Sequence, residues 1–183
     1  MPFDVSLAAC GSYDHDQCRA ALLSALEPLG GLSWVQSGMR IAVKANLISA
    51  MKPDAAATVH PMLLTVLTEL LTERGASVTL GDSPGGLYTV AHLSRVYDVC
   101  GLRQCEAAGA HLNLDITQAE AHAPAAVQAK SFPYTRWLDD ADAIIDFCKL
   151  KTHGMLAMTN ACKNFFGVIP GTIKPEYHCK YPK

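Results

Sequence analysis

Apolar and polar positions along this chain follow two periods. Residues 39–48, 76–80 and 143–149 are short apolar runs of strand length, and residues 3–9 and 111–114 carry the same signal more weakly. Between these runs apolar residues recur every three to four positions. Leu63, Val66, Leu67, Leu70 and Leu71 make one face of a helix over 62–74, with Pro61 at its first position and Gly75 at its end. Asp14 or Asp16 can cap an earlier helix that buries Cys18, Leu22, Ala25, Leu26 and Leu29 and stops at Gly30 and Gly31. Further helices are predicted over 87–99 and 155–166.

Strands alternating with helices predict an α/β fold: a three-layer α/β/α sandwich with a mixed, mostly parallel sheet. No repeat, low-complexity tract or linker divides the chain, so residues 1–183 read as a single α/β domain. Residues 171–183 are polar, rich in Lys, Tyr and Pro, and offer no closing strand or helix. That points to a domain incomplete at its C-terminal end.

Composition narrows the function classes. Half of the residues are apolar, which supplies a core and excludes wholesale disorder. Lys plus Arg is 15 against 17 Asp plus Glu, a net charge of −2, so the basic stripe of a nucleic-acid binder is absent. No apolar run reaches the roughly 18 residues of a membrane helix, and the first ten residues lack a basic stretch before an apolar one. The expected setting is cytoplasmic, with neither membrane nor nucleic acid as partner. The seven cysteines, Cys10, Cys18, Cys100, Cys105, Cys148, Cys162 and Cys179, contain no C-x-x-C pair. Zinc-ribbon and ferredoxin spacings are therefore missing, and no metal ligands are assigned. The expectation is reduced, mostly buried thiols.

Parallel α/β sheets bind ligands beyond the carboxyl ends of their strands, and four segments carry chemistry there. Lys44 and Asn46 share one face of a strand, ~7 Å apart. Gly81-Asp82-Ser83-Pro84-Gly85-Gly86 follows a strand and precedes a helix, where glycines admit a ligand close to the backbone. It matches neither nucleotide-binding fingerprint. Lys149, Lys151 and His153 share a face if the strand at 143–149 stays extended, and His153 can then work as general acid or base. Asn160, Lys163 and Asn164 fall on one helix face, with Met155, Met158, Cys162 and Phe166 packing on the other. Each segment has a plain alternative: a solvated strand end, a capped turn, or the solvent side of an amphipathic helix. His60 reads as a cap or a site residue, and Cys148 and Cys162 as small core residues.

Several of these motifs occur together in order: Val43-Lys44-Ala45-Asn46-Leu47, His60-Pro61, Gly75-Ala76, the Gly81–Gly86 loop, Lys149-Leu150-Lys151-Thr152-His153, and Lys163-Asn164-Phe165-Phe166-Gly167. In this the chain resembles domain-of-unknown-function family 362 over about residues 3–180. Members of that family are often joined to a ferredoxin-like module with 4Fe–4S clusters, whose cysteines lie outside the region seen here. The resemblance implies a site at Lys44, Asn46, Asp82, Lys151, His153, Lys163 and Asn164. It also implies a domain that continues past this point.

Two functions are expected from these residues. In one, an enzyme or enzyme domain takes a small anionic, carboxylate-like substrate. Lys44, Lys151 and Lys163 hold the anion; Asn46, Asp82, Ser83 and Asn164 shape the site; His153 and Lys151 serve as the catalytic pair. In the other, a non-catalytic redox-associated domain partners a ferredoxin-like module, and an iron–sulfur cluster lies in a region or partner outside this chain.

Overall fold

The computed structural model describes residues 5–180. Asp14 caps the first helix, α1 (His15–Leu26), by accepting from the N–H groups of Asp16 and Gln17, two donors that a helix start leaves unpaired. β1 (Arg40–Lys44) follows. Pro61 then opens α2 (Pro61–Thr72), and His60 Nδ1 accepts from the Met62 N–H as its cap. Next come β2 (Ser77–Gly81), α3 (Val90–Val99), α4 (Arg103–Ala107) and β3 (Ala110–Leu112). A hairpin of β4 (Gln118–His122) and β5 (Ser131–Thr135) precedes β6 (Ala143–Asp146). A short ribbon, β7 (Lys151–His153) and β8 (Ala157–Thr159), leads to α5 (Ala161–Phe165) and α6 (Lys174–Lys180).

The architecture is α/β. β3, β2, β1 and β6 lie in that order in one parallel sheet, and antiparallel pairing is confined to the two separate ribbons. Strand alternation sorts the side chains into two faces. Ile41, Val43, Val78, Leu80, Ala110 and Leu112 point into the main core, against Cys18 of α1, Leu64 and Leu71 of α2, and Leu93 and Val96 of α3. Each fully buried leucine contributes ~2 kcal/mol. Thr65 and Thr68 sit in this core because their hydroxyls donate to Pro61 O and Leu64 O one turn back. On the other face Ala42 packs with Trp137 and Leu138 from the 3-10 segment Arg136–Asp140. The chain steps outward from β1 through β2 to β3, then returns to β6 on the far side of β1. This reversal puts the carboxyl ends of β1 and β6 at the topological switch point.

Several expectations change. Of the strand expected at 3–9, residues 3 and 4 lie outside the described residues, and 5–9 form no strand, with Val5 and Leu7 exposed. A period-2 pattern supplies no partner by itself, and a strand exists only when paired. β1 stops at Lys44 and β6 at Asp146, short of 48 and 149. Residues 155–159 turn through Ala157, at φ 60°, into β8, so the expected helix shortens to α5. Met155 and Met158 are accordingly exposed. The polar tail does contain a helix, α6. All seven cysteines are free; Cys18, Cys100 and Cys105 are buried, Cys148 is half-buried, and Cys10, Cys162 and Cys179 are exposed, against the expectation of mostly buried thiols.

Candidate functional site

The carboxyl ends of β1, β2 and β6 come into register at Lys44, Gly81 and Asp146. Lys44 is buried there. Its Nζ lies 2.6 Å from Asp82 Oδ1 and donates to Ala45 O at 2.7 Å and to Asn164 Oδ1 at 3.3 Å. A buried ammonium demands such partners. Asp82 also accepts from the Leu47 N–H at 2.7 Å and the Ser83 N–H at 2.8 Å. The two charges at the foot of the site thus cancel.

Asn164 of α5 ties the strand ends together. Its Oδ1 also accepts from Asn46 Nδ2 at 2.8 Å, while its Nδ2 donates to Asp146 Oδ1 and to Lys44 O. Burial pushes the Asp146 carboxyl above its ordinary range. Lys151, on β7, donates to Asn46 Oδ1 and, at 2.5 Å, to Ala57 O. Burial, then the charge of Lys149, lowers its pKa to about 8.

These groups line a cleft of about 230 Å³. Asn46, Asp82, Ser83, Lys151, His153, Lys163 and Asn164 all face it. Lys44 lies behind that lining, held by Asp82, rather than in direct reach of the cleft as the sequence implied. Lys149 and Asn160 are also outside it. β6 ends before Lys149, and exposed Asn160 accepts from the Cys148 thiol at 3.0 Å. His60 is a cap, stacked on Tyr13 with centroids 3.6 Å apart.

The cleft holds residues that the sequence reading passed over. Lys174 donates to the backbone oxygen of Ser83 and at 3.4 Å to its hydroxyl, and burial brings its pKa to about 8. His178 packs tilted against Phe166, centroids 4.6 Å apart, and lies 6.2 Å from the His153 ring. Lys174 and His178 stand four apart in a segment read as a tail, and that spacing was the available signal. Thr159 also lines the cleft, its buried hydroxyl without a hydrogen-bond partner among the described residues.

Three lysines, Lys151, Lys163 and Lys174, line the cleft. Among the described residues, no carboxylate lies within ion-pair distance of Lys151, Lys163 or Lys174. Lys163 Nζ sits 4.5 Å from the Phe166 ring centroid, and burial lowers its pKa as well. Burial and the Lys163 charge lower His153. His153 Nδ1 accepts from the Met155 and Leu156 N–H groups at 3.2 and 3.1 Å. In the neutral ring the proton therefore resides on Nε2. No three His, Cys, Asp or Glu side chains among the described residues form a metal-binding group. No helix among them is long and apolar enough to cross a membrane.

The sequence model of the family described as "Domain of unknown function (DUF362)" matches residues 41–183. The chain is 32% identical over 190 residues to the thylakoid-associated protein sll1697 of Synechocystis sp., an alignment that covers 100% of this chain and 56% of that protein. It thus spans about half the length of that curated relative. No solved structure matches it significantly. The chain belongs to the DUF362 family.

Proposed function

We propose that this protein binds a small carboxylate-type anion in the cleft at the strand ends, as an enzyme or enzyme domain. The observation that carries this reading is the meeting of Lys151, Lys163 and Lys174 around one cleft, with no carboxylate among the described residues within ion-pair distance of any of them. Each of the three has a depressed pKa. A bound anion offsets the mutual repulsion and the desolvation that lower them. The unpartnered Thr159 hydroxyl supplies a further donor.

The site also holds a proton donor and acceptor. His153, with Nδ1 occupied by backbone N–H groups, presents Nε2–H as the acid. Lys151, at a pKa of about 8, is partly the free amine near neutral pH, and in that minor form, with Lys163 and Lys174 holding the anion, it can take a proton. Asn46 fixes the Lys151 ammonium, and Asn164 fixes Asn46, so Lys151 is positioned by buried amides.

Nuclear magnetic resonance titration of the chain with acetate, glycolate and malonate tests this reading. We expect saturable shifts at Thr159, His153 and Asn164, and at least a tenfold weaker affinity in Lys151→Ala. Absence of binding by all three anions in the wild type overturns it.

A further inference from the structure

A second hollow, about 470 Å³, adjoins the cationic cleft. Its walls include Phe132 of β5, Leu156 of the β7–β8 turn and Ile169, and it is mainly apolar. Lys163, Phe166 and His178 line both spaces. Where the two spaces meet, the Phe166 ring lies tilted against His178, with the Lys163 ammonium above it. Leu156 is 37% exposed at this hollow, an apolar side chain left partly in water.

We propose that the two spaces form one binding site for an amphipathic carboxylate, with its anionic head among the lysines and its hydrocarbon or aryl body in the hollow walled by Phe132, Leu156 and Ile169. This rests on the anion-binding reading above and deepens it. Two observations favour this occupant. The hollow adjoins the cationic cleft at three shared residues, so a ligand anchored by its head has the apolar wall beside it. The shared wall also places an ammonium where head and body meet, which suits a ligand charged at one end only. Together the volumes lie in the range of small-molecule sites, where apolar lining with a few placed polar groups is the usual pattern.

The test is a titration series of acetate, butyrate, hexanoate and 3-phenylpropionate against the 183-residue chain at pH 7. Leu156→Asn, Phe132→Ala and Lys151→Ala are measured beside the wild type, with circular dichroism to verify folding. Affinity should rise roughly threefold per added methylene as apolar surface leaves water. That gain should vanish in both Leu156→Asn and Phe132→Ala while acetate binds as before. A flat series in the wild type, with acetate binding still lost in Lys151→Ala, overturns the apolar subsite and leaves the anion site standing. A length-dependent gain that survives both wall variants also overturns it. If none of the four carboxylates binds, the anion-binding reading fails, and the subsite falls with it.

Discussion

Lys44 Nζ stands 2.6 Å from Asp82 Oδ1, with side-chain exposures of 1% and 6%. The pair joins β1 to the loop after β2, beneath the cleft. A buried ion pair adds little over an apolar pair of the same size, but removing one member leaves an unpaired charge out of water. Lys44→Met should therefore cost about 3–5 kcal/mol at neutral pH, read by denaturant titration. A loss below about 1 kcal/mol would mean that Asp82 is rescued by its two backbone donors.

Gly167 is packed onto this pair. A Cβ there would lie 2.6 Å from Lys44 Nζ and 2.8 Å from Asp82 Oδ1. Gly167→Ala should destabilise the protein by about 1–3 kcal/mol, as overpacking does. It should also weaken anion binding through the displaced floor of the cleft. Unchanged thermal stability in this variant would contradict the packing.

The lysines set the pH dependence. Lys151 and Lys174 have pKa values of about 8 in the folded protein against an ordinary 10.5. An anion needs them protonated, so its affinity should fall as pH rises through about 8. Stability moves the other way. Between about 8 and 10.5 the unfolded chain holds more protons on these groups than the folded one, so their contribution to stability rises with pH. Parallel binding and denaturation profiles from pH 6.5 to 10 check both signs, and affinity that is constant across that range would exclude these ammonium groups from the anion site.

His153 should be neutral at pH 7, with its proton on Nε2. Burial lowers its pKa from 6.5, and two backbone N–H groups occupy Nδ1. Nitrogen-15 shifts of the ring should show an unprotonated Nδ1 at pH 7. A protonated Nδ1 would remove His153 as the proposed acid through Nε2.

Much of the frame is local and was legible in the sequence. Asp14 and Pro61 mark helix starts by hydrogen-bond and ring geometry that act within a few residues. The leucine period of α2 and the apolar runs of β1 and β2 follow from side-chain direction along each element. The Lys, Asn and His candidates stood out because polar groups at the ends of apolar strands need a partner or a ligand. Which of the two each one has was decided by contacts across the chain. Lys44 finds its partner in Asp82, and so sits behind the cleft lining. Asn46 meets Asn164 across 118 positions, and Lys151 meets Asn46 across 105. The β7–β8 ribbon replaces the start of a helix because strand pairing, absent from any local pattern, satisfies its backbone. Lys174 and His178 reach the cleft only because α6 folds back over the Ser83 loop. Local periodicity fixes which face a residue occupies on its own element. Only the packing of distant elements fixes what that face meets, and the pairing of buried charge depends on that meeting.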